Sequence, residues 1–92
     1  MKYVLLGKLN PAWIAKSKER TEKAKKKLAD LGITLETVLY TQGVYDFMDM
    51  VDARDPGAML AFSVWYAEQG FDSFTTMPAF APADMDSTVA KL

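Results

Sequence analysis

Residues 33–52 read ITLETVLYTQGVYDFMDMVD, and this stretch decides the fold. Residues 33–41 are rich in β-branched side chains, which favour extended strands. Gln42-Gly43 then gives a turn, and residues 44–52 are strand-like again. The stretch therefore predicts a β-hairpin in the middle of the chain.

A helix is predicted on each side of this hairpin. Asn10 and Asp55 are capping residues, and each precedes a proline at the first helical position, where the missing N–H costs nothing. The two helices are predicted over Pro11–Leu31 and Pro56–Gln69, and a glycine follows each.

Strands are predicted at the two ends of this arrangement, over residues 2–9 and 71–77, with Pro78 ending the second. Pro82 is placed to open a short helix in the tail 81–92, with Met85, Val89 and Leu92 on one side. The order β-α-β-β-α-β predicts an α+β, ferredoxin-like fold with a four-stranded antiparallel sheet. Residues 1–92 are predicted to form a single domain of this kind.

The strands of this sheet are apolar on both faces. Along residues 44–52, Tyr45, Phe47 and Val51 alternate with Val44, Met48 and Met50. Because the helices cover only one face, the other needs a cover, and the same face of a second copy is the simplest. The tail after Pro82 is the alternative cover.

The second predicted helix adds an expectation about assembly. Leu60, Ser63, Val64 and Ala67 share one stripe, which places Trp65 on the opposite, outer side. Such a tryptophan either meets the tail or another subunit, giving an oligomer larger than a dimer, or lies partly exposed along its own helix.

The first predicted helix is strongly basic. Seven of the eleven Lys and Arg residues lie between positions 16 and 27, and Lys16, Arg20, Lys23 and Lys27 form one ridge. An anionic partner such as RNA is one interpretation. The favoured one is a solvated outer face, since the ridge lacks the interleaved aromatic residues typical of nucleic-acid modules.

Composition excludes several classes of site. The chain has no Cys and no His, which excludes disulfides, Cys/His zinc sites, histidine-ligated haem and His-based triads. No cofactor is implied. The net charge of −1 gives no general attraction to nucleic acid. No export signal or membrane span is recognisable, which predicts a cytoplasmic protein.

Residues 43–46 read Gly-Val-Tyr-Asp and open a strand after a turn. Together with Tyr-Val-Leu-Leu at residues 3–6, Asp52-Ala53 before a helix, and Thr75-Thr76 followed by Phe80, this resembles the GYD domain family across nearly the whole chain. The resemblance implies a dimeric α/β barrel, with two sheets packed face to face. It implies no settled activity, although related barrels include cofactor-free oxygenases, cyclases and ligand sensors.

The motif residues are candidates for chemistry. Gly43 is expected to adopt a positive φ. Tyr45 and Asp46 are predicted to point to opposite faces of a strand, so one of them faces the helices. Asp46 is either an acid or base with a raised pKa in an apolar pocket, or a structural carboxylate bonded to N–H groups of the hairpin.

Three functions remain open at this point. The first is a homo-oligomeric protein that binds a small apolar or aromatic ligand, with a lining drawn from Tyr40, Phe47, Met48, Met50 and Phe74. The second is a cofactor-free oxygenase, cyclase or isomerase with Asp46 as proton acceptor and Tyr45 or Tyr40 orienting the substrate. The third is an assembly or RNA-associated protein that uses the basic helix at residues 11–31.

Overall fold

The computed structural model describes residues 1–92, and its strands and helices alternate as the sequence predicts. The strands are β1 (Lys2–Gly7), β2 (Thr34–Tyr40), β3 (Phe47–Asp52) and β4 (Phe74–Ala79). The helices are α1 (Pro11–Ile14), α2 (Ser17–Asp30), α3 (Pro56–Glu68) and α4 (Pro82–Ala90). One antiparallel sheet has the order β2-β3-β1-β4, so the α+β, ferredoxin-like prediction is confirmed.

Both predicted helix caps are present. The Asn10 side chain accepts a hydrogen bond from the backbone N–H of Ala12, and the Asp55 side chain accepts one from Ala58. These bonds satisfy N–H groups that have no partner within the helix. The terminal helix predicted to begin at Pro82 is also confirmed.

The prediction of one continuous helix after Asn10 is wrong. The chain turns at Ala15 and Lys16, between α1 and α2. Trp13 packs edge-on against Phe71 with ring centroids 4.6 Å apart, which anchors α1 at one end of the sheet. The residues that follow belong to α2, which packs on another part of the sheet, so the chain turns between α1 and α2.

Two strand boundaries also differ from the prediction. Residues 44–46 lie in the hairpin loop, and β3 begins only at Phe47. Pro78 lies within β4 rather than ending it. Because β4 is an edge strand, the missing N–H of a proline is tolerated there.

The face of the sheet that carries α2 and α3 holds the apolar core. Its buried members are Tyr3, Leu5, Leu28, Ile33, Phe47, Val51, Ala53, Ala58, Met59, Phe62, Tyr66 and Phe71. Gly7 belongs to the same face, and a Cβ there would overlap the ring of Phe47. The glycine therefore lets a large aromatic side chain lie directly on β1.

The predicted orientation of α3 is wrong. Phe62 and Tyr66 are buried, whereas Leu60 and Val64 are 66% and 50% exposed. Trp65 packs against Phe62 and Phe71, with ring centroids 5.8 Å away in each case. Aromatic rings bury more apolar area than Leu and Val, so they determine which side of the helix faces inward.

The opposite face of the sheet is uncovered, and we call it the open face. Strand pairing places Val4, Leu6, Met48, Met50 and Met77 side by side at its centre. Every residue of α4 is exposed, so the tail does not cover this face within one chain. No helix of the structure combines the length and apolar character needed to cross a membrane.

Candidate functional site

The hairpin loop that contains the Gly-Val-Tyr-Asp motif is held by a compact set of hydrogen bonds. Gly43 has φ +128°, as predicted for this turn. The backbone N–H of Thr41 donates to the carbonyl of Asp46 at 2.8 Å, and the Thr41 hydroxyl donates to the carbonyl of Tyr45 at 2.7 Å. The loop is therefore closed on itself before β3 begins.

Asp46 fastens this loop to the end of β1. Its backbone N–H donates to the carbonyl of Gly7 at 2.8 Å, and its carboxylate accepts from the N–H of Leu9 at 2.8 Å. The donor belongs to the segment after β1, not to the hairpin itself. This geometry gives Asp46 a structural role, with the backbone of a neighbouring segment as its partner.

Arg20 is the charged residue that the fold buries. It lies on α2 and is only 6% exposed, although the sequence places it in a solvated ridge. Its Nη1 donates to the hydroxyl of Tyr66 and its Nη2 to the hydroxyl of Tyr40, each at 3.1 Å. The guanidinium thereby joins α2, α3 and β2 beneath the sheet.

Asp49 lies on the same side of the sheet, between Phe47 and Val51 on β3. Its Oδ1 is buried and has no hydrogen-bond partner. Burial raises the pKa of Asp49 to about 6, and the charge of Arg20 opposes that rise without cancelling it. Neither Arg20 nor Asp49 was selected from the sequence as a candidate.

The two tyrosines are perturbed in opposite directions. Burial raises the pKa of Tyr66, against the opposing charge of Arg20. The neighbouring hydroxyls of Ser17 and Thr21, together with Arg20, lower the pKa of Tyr40. We call Arg20, Tyr40, Asp49 and Tyr66 the Arg20 cluster.

The Arg20 cluster borders a small inner cavity between α2, α3 and the sheet. The space is about 30 Å³, enough for roughly two water molecules. Apolar side chains complete its wall, including Ala24, Leu28, Leu35, Val38, Phe47, Phe62 and Phe74. An aromatic wall beside a few buried polar groups is the usual make-up of a small-molecule site.

Comparison with protein families matches residues 3–89 to the GYD domain. The chain belongs to the GYD domain family. No curated protein and no solved structure matches the chain. Membership was predicted from the motif at residues 43–46 together with matching residues from residue 3 to Phe80, and it is confirmed.

The GYD domain brings three of its predicted ligand-binding residues together. Tyr40, Phe47 and Phe74 all line the inner cavity. Met48 and Met50 lie on the open face instead, because side chains alternate along β3. Tyr45 and Asp46 are in the hairpin loop and do not line the cavity.

The basic segment of the GYD domain contacts the chain's own aromatic rings. The ammonium groups of Lys16 and Lys23 lie 5.2 and 5.6 Å from the ring of Trp13. That of Lys27 lies 5.9 Å from Trp65. With Arg20 buried, the predicted ridge does not form one continuous solvated face, and an anionic macromolecular partner stays a prediction.

The sequence carries one signal for the buried cation. Arg20 is the only arginine among the seven basic residues at positions 16–27. Arginine is better suited than lysine to buried sites, because its planar guanidinium donates several hydrogen bonds in fixed directions. The periodicity of α2 alone could not distinguish Arg20 from its lysine neighbours.

Proposed function

We propose that this GYD domain binds a small apolar or aromatic molecule at the mouth of the inner cavity, which has room for only the polar end of such a molecule. The observation that carries the proposal is the Arg20 cluster inside a mainly apolar wall, to which Thr21 and Lys25 are the other polar contributors. A core needs no charged groups for packing, and burying them is costly unless they are fully paired. The buried polar groups of the Arg20 cluster are therefore available to bind a ligand.

The aromatic side of the cavity supports the same proposal. Phe62, Tyr66 and Phe74 are mutual neighbours, with ring centroids 5.2 to 5.8 Å apart. Stacked and edge-on rings offer both faces and edges to another aromatic molecule. Tyr40 is 56% exposed at the rim, where its ring can contact an entering molecule while its hydroxyl accepts a hydrogen bond from Arg20.

Binding is tested with three aromatic probes: indole, 2-naphthol and 2-naphthoate. We expect at least one to raise the melting temperature and to saturate in a calorimetric titration. Ala24→Leu places a larger side chain in the cavity wall and should weaken that binding at least tenfold. Ala61→Leu, at an exposed position on α3, is the matched control. Absence of binding by all three probes, or full binding by Ala24→Leu, would contradict the proposal.

A cofactor-free enzyme is the second candidate, and the position of Asp49 favours it. A carboxyl group in the cavity with a pKa of about 6 is suited to exchange protons near neutral pH. Asp46 was the proton acceptor expected from sequence, but it lies outside the cavity. Asp49 is therefore the proton acceptor in this proposal.

The enzyme candidate is tested with 2-tetralone deuterated beside its carbonyl group. We expect the protein to accelerate loss of deuterium to water, Asp49→Asn to abolish the acceleration, and Asp46→Asn to keep it in any folded protein. Loss of the acceleration in Asp46→Asn alone would restore the original assignment. Absence of acceleration in the wild-type protein would count against catalysis of this class.

The proposed binding protein acts as a homodimer joined through the open face. Met77 and Leu39 on this face are 38% and 52% exposed, which leaves a large apolar surface in water. Phe80, Met85 and Val89, on or next to α4, are also exposed and have no partner within the chain. A second copy would cover both surfaces at once. Native mass spectrometry is expected to show an even number of subunits, and a monomer at all concentrations would contradict the dimer.

A further inference from the structure

Arg20 retains unused hydrogen-bonding capacity beneath the sheet. A guanidinium has five N–H donors, and the hydroxyls of Tyr66 and Tyr40 use two. No carboxylate lies within 4.0 Å of it, since the ion pairs of the chain all involve other cations. The buried positive charge is therefore without a counter-ion in direct contact.

Asp49 also has hydrogen-bonding capacity that the protein does not use. Its Oδ1 is buried without a partner, and a protonated carboxyl group there has a hydrogen to donate. A ligand carboxylate has two oxygens, one for a cationic donor and one for a neutral donor. The inner cavity has room for about two oxygen atoms, the number in one carboxylate group.

A larger outer groove lies beside the inner cavity, between α2 and β2. The groove has a volume of about 380 Å³ and shares Lys25, Leu28, Leu35 and Val38 with the cavity. Ala29 and Ile33 add further apolar surface. Lys25, Glu36 and Thr37 are the polar residues of the groove, and Leu28, Leu35 and Val38 supply the apolar surface nearest the cavity.

We infer that the site takes an apolar monocarboxylate, with its carboxylate between Arg20 and protonated Asp49 and its apolar body in the outer groove. The inference rests on the proposed ligand-binding function and specifies the ligand class. Charge-assisted hydrogen bonds from a guanidinium to a carboxylate are among the strongest in proteins. A neutral molecule of the same shape would leave the Arg20 charge unpaired.

Binding of such a ligand is coupled to the protonation of Asp49. The charged and titratable groups that border the cavity around it are Arg20 and Lys25 from α2, Tyr66 from α3 and Tyr40 from β2. None of these is a carboxyl group or a histidine, so Asp49 is the group that changes charge between pH 5 and 8. Because the pKa of Asp49 is about 6, a carboxylate ligand should bind with uptake of a proton above that pH.

The test compares 2-naphthoate with 2-naphthamide by calorimetric titration at about pH 5.5, 6.5 and 7.5. Naphthoate affinity should fall about tenfold for each pH unit above about 6, whereas naphthamide affinity should not change. In Asp49→Asn, naphthoate should bind with the same affinity at all three values, and more tightly than to wild type at pH 7.5. Arg20→Met should reduce naphthoate binding at least thirtyfold and leave naphthamide nearly unaffected.

The outcomes separate the two proposals. If both probes bind equally at every pH, and Asp49→Asn changes nothing, the carboxylate inference is wrong while the ligand-binding function stands. If neither probe binds, the carboxylate inference is overturned, and the ligand-binding function falls with it when indole and 2-naphthol also fail to bind. Should Arg20→Met fail to fold, the pH dependence in wild type and its loss in Asp49→Asn still decide the matter.

Discussion

Each face of the sheet carries some side chains that are unusual for their position in an isolated domain. The face covered by α2 and α3 holds the apolar core, but it also keeps Arg20 and the ionisable Asp49. The open face, which no element of the chain covers, is apolar at its centre, with Val4 and Met50 paired there. The first face therefore contains polar groups that packing does not require, and the second exposes apolar groups to water.

In the proposal, this difference assigns a separate role to each face. Arg20 and Asp49 under the helices serve a ligand, because packing alone favours apolar side chains at such positions. The apolar side chains of the uncovered face serve a second copy of the chain. Changes on the two faces should therefore affect different properties of the protein.

The largest effect is expected from placing a charge on the open face. Met50→Glu would put a carboxylate at the centre of the proposed interface, so we expect dimer dissociation to increase at least hundredfold, about 3 kcal/mol. Sedimentation equilibrium measures this. Leu60→Glu, on the exposed side of α3, is the control and should leave the dimer intact. If Leu60→Glu alone dissociated the protein, the interface would lie on the helices.

The next effect concerns the covered face. Gly7→Ala would place a methyl group against the ring of Phe47 and should lower the free energy of unfolding by about 2 to 3 kcal/mol. Adding Phe47→Leu should recover part of the loss, because the smaller side chain relieves the overlap. Chemical denaturation of Gly7→Ala, Phe47→Leu and the double variant measures both. A Gly7→Ala protein as stable as wild type would show that the ring does not lie on β1.

A smaller effect is expected from the pH dependence of stability. The pKa of Asp49 is raised to about 6 in the folded state, so the folded protein holds the proton more tightly than the unfolded chain. The stabilisation that comes from keeping Asp49 protonated is therefore full below about pH 4, falls as the pH rises to 6 and is absent above. Asp49→Asn should therefore raise the free energy of unfolding more at pH 7.5 than at pH 4.5. After allowance for partial exposure, we expect the two effects to differ by about 1 to 2 kcal/mol. Equal effects at both pH values in denaturation experiments would contradict a raised pKa.

The smallest effect distinguishes two buried tyrosines on the covered face. The hydroxyl of Tyr66 accepts from Arg20, whereas the hydroxyl of Tyr3 is buried without a partner. Tyr66→Phe should cost about 1 kcal/mol and Tyr3→Phe about zero, since only the first loses a hydrogen bond. Thermal unfolding of the two variants under identical conditions makes the comparison. Equal losses would show that the Arg20 bond adds nothing.

Local signals in the sequence were enough for the order of the elements. Capping by Asn10 and Asp55 and the positive φ of Gly43 depend on neighbours a few residues away, and all three were predicted correctly. Family membership was predicted from short motifs, of which the one beginning at Gly43 is the most specific. The sequence therefore predicts the scaffold well.

The site could not be predicted in the same way. The partners of Arg20 lie 20 and 46 residues away along the chain, so helical periodicity carries no information about them. Met48 and Met50 share a strand with Phe47, and only the position of the helices decides which side chains meet the cavity. Arg20, Asp49 and Tyr66 were missed for this reason, whereas Tyr40, Phe47 and Phe74 were named from the sequence and line the cavity, and their role in ligand binding stays a prediction.

The separate roles of the two faces are tested most directly by NMR spectra of protein labelled at its alanine and methionine methyl groups. Ala24 and Ala29 report on the cavity and the groove, and Met48 and Met50 report on the open face. Adding 2-naphthoate should shift the two alanine signals and leave the methionines in place, whereas dilution should do the reverse. If naphthoate shifts the signals of Met48 and Met50 instead, the ligand does not bind on the covered face. If dilution leaves these signals unchanged, and a soluble nitroxide broadens them at every concentration, the open face is exposed to solvent and is not an interface.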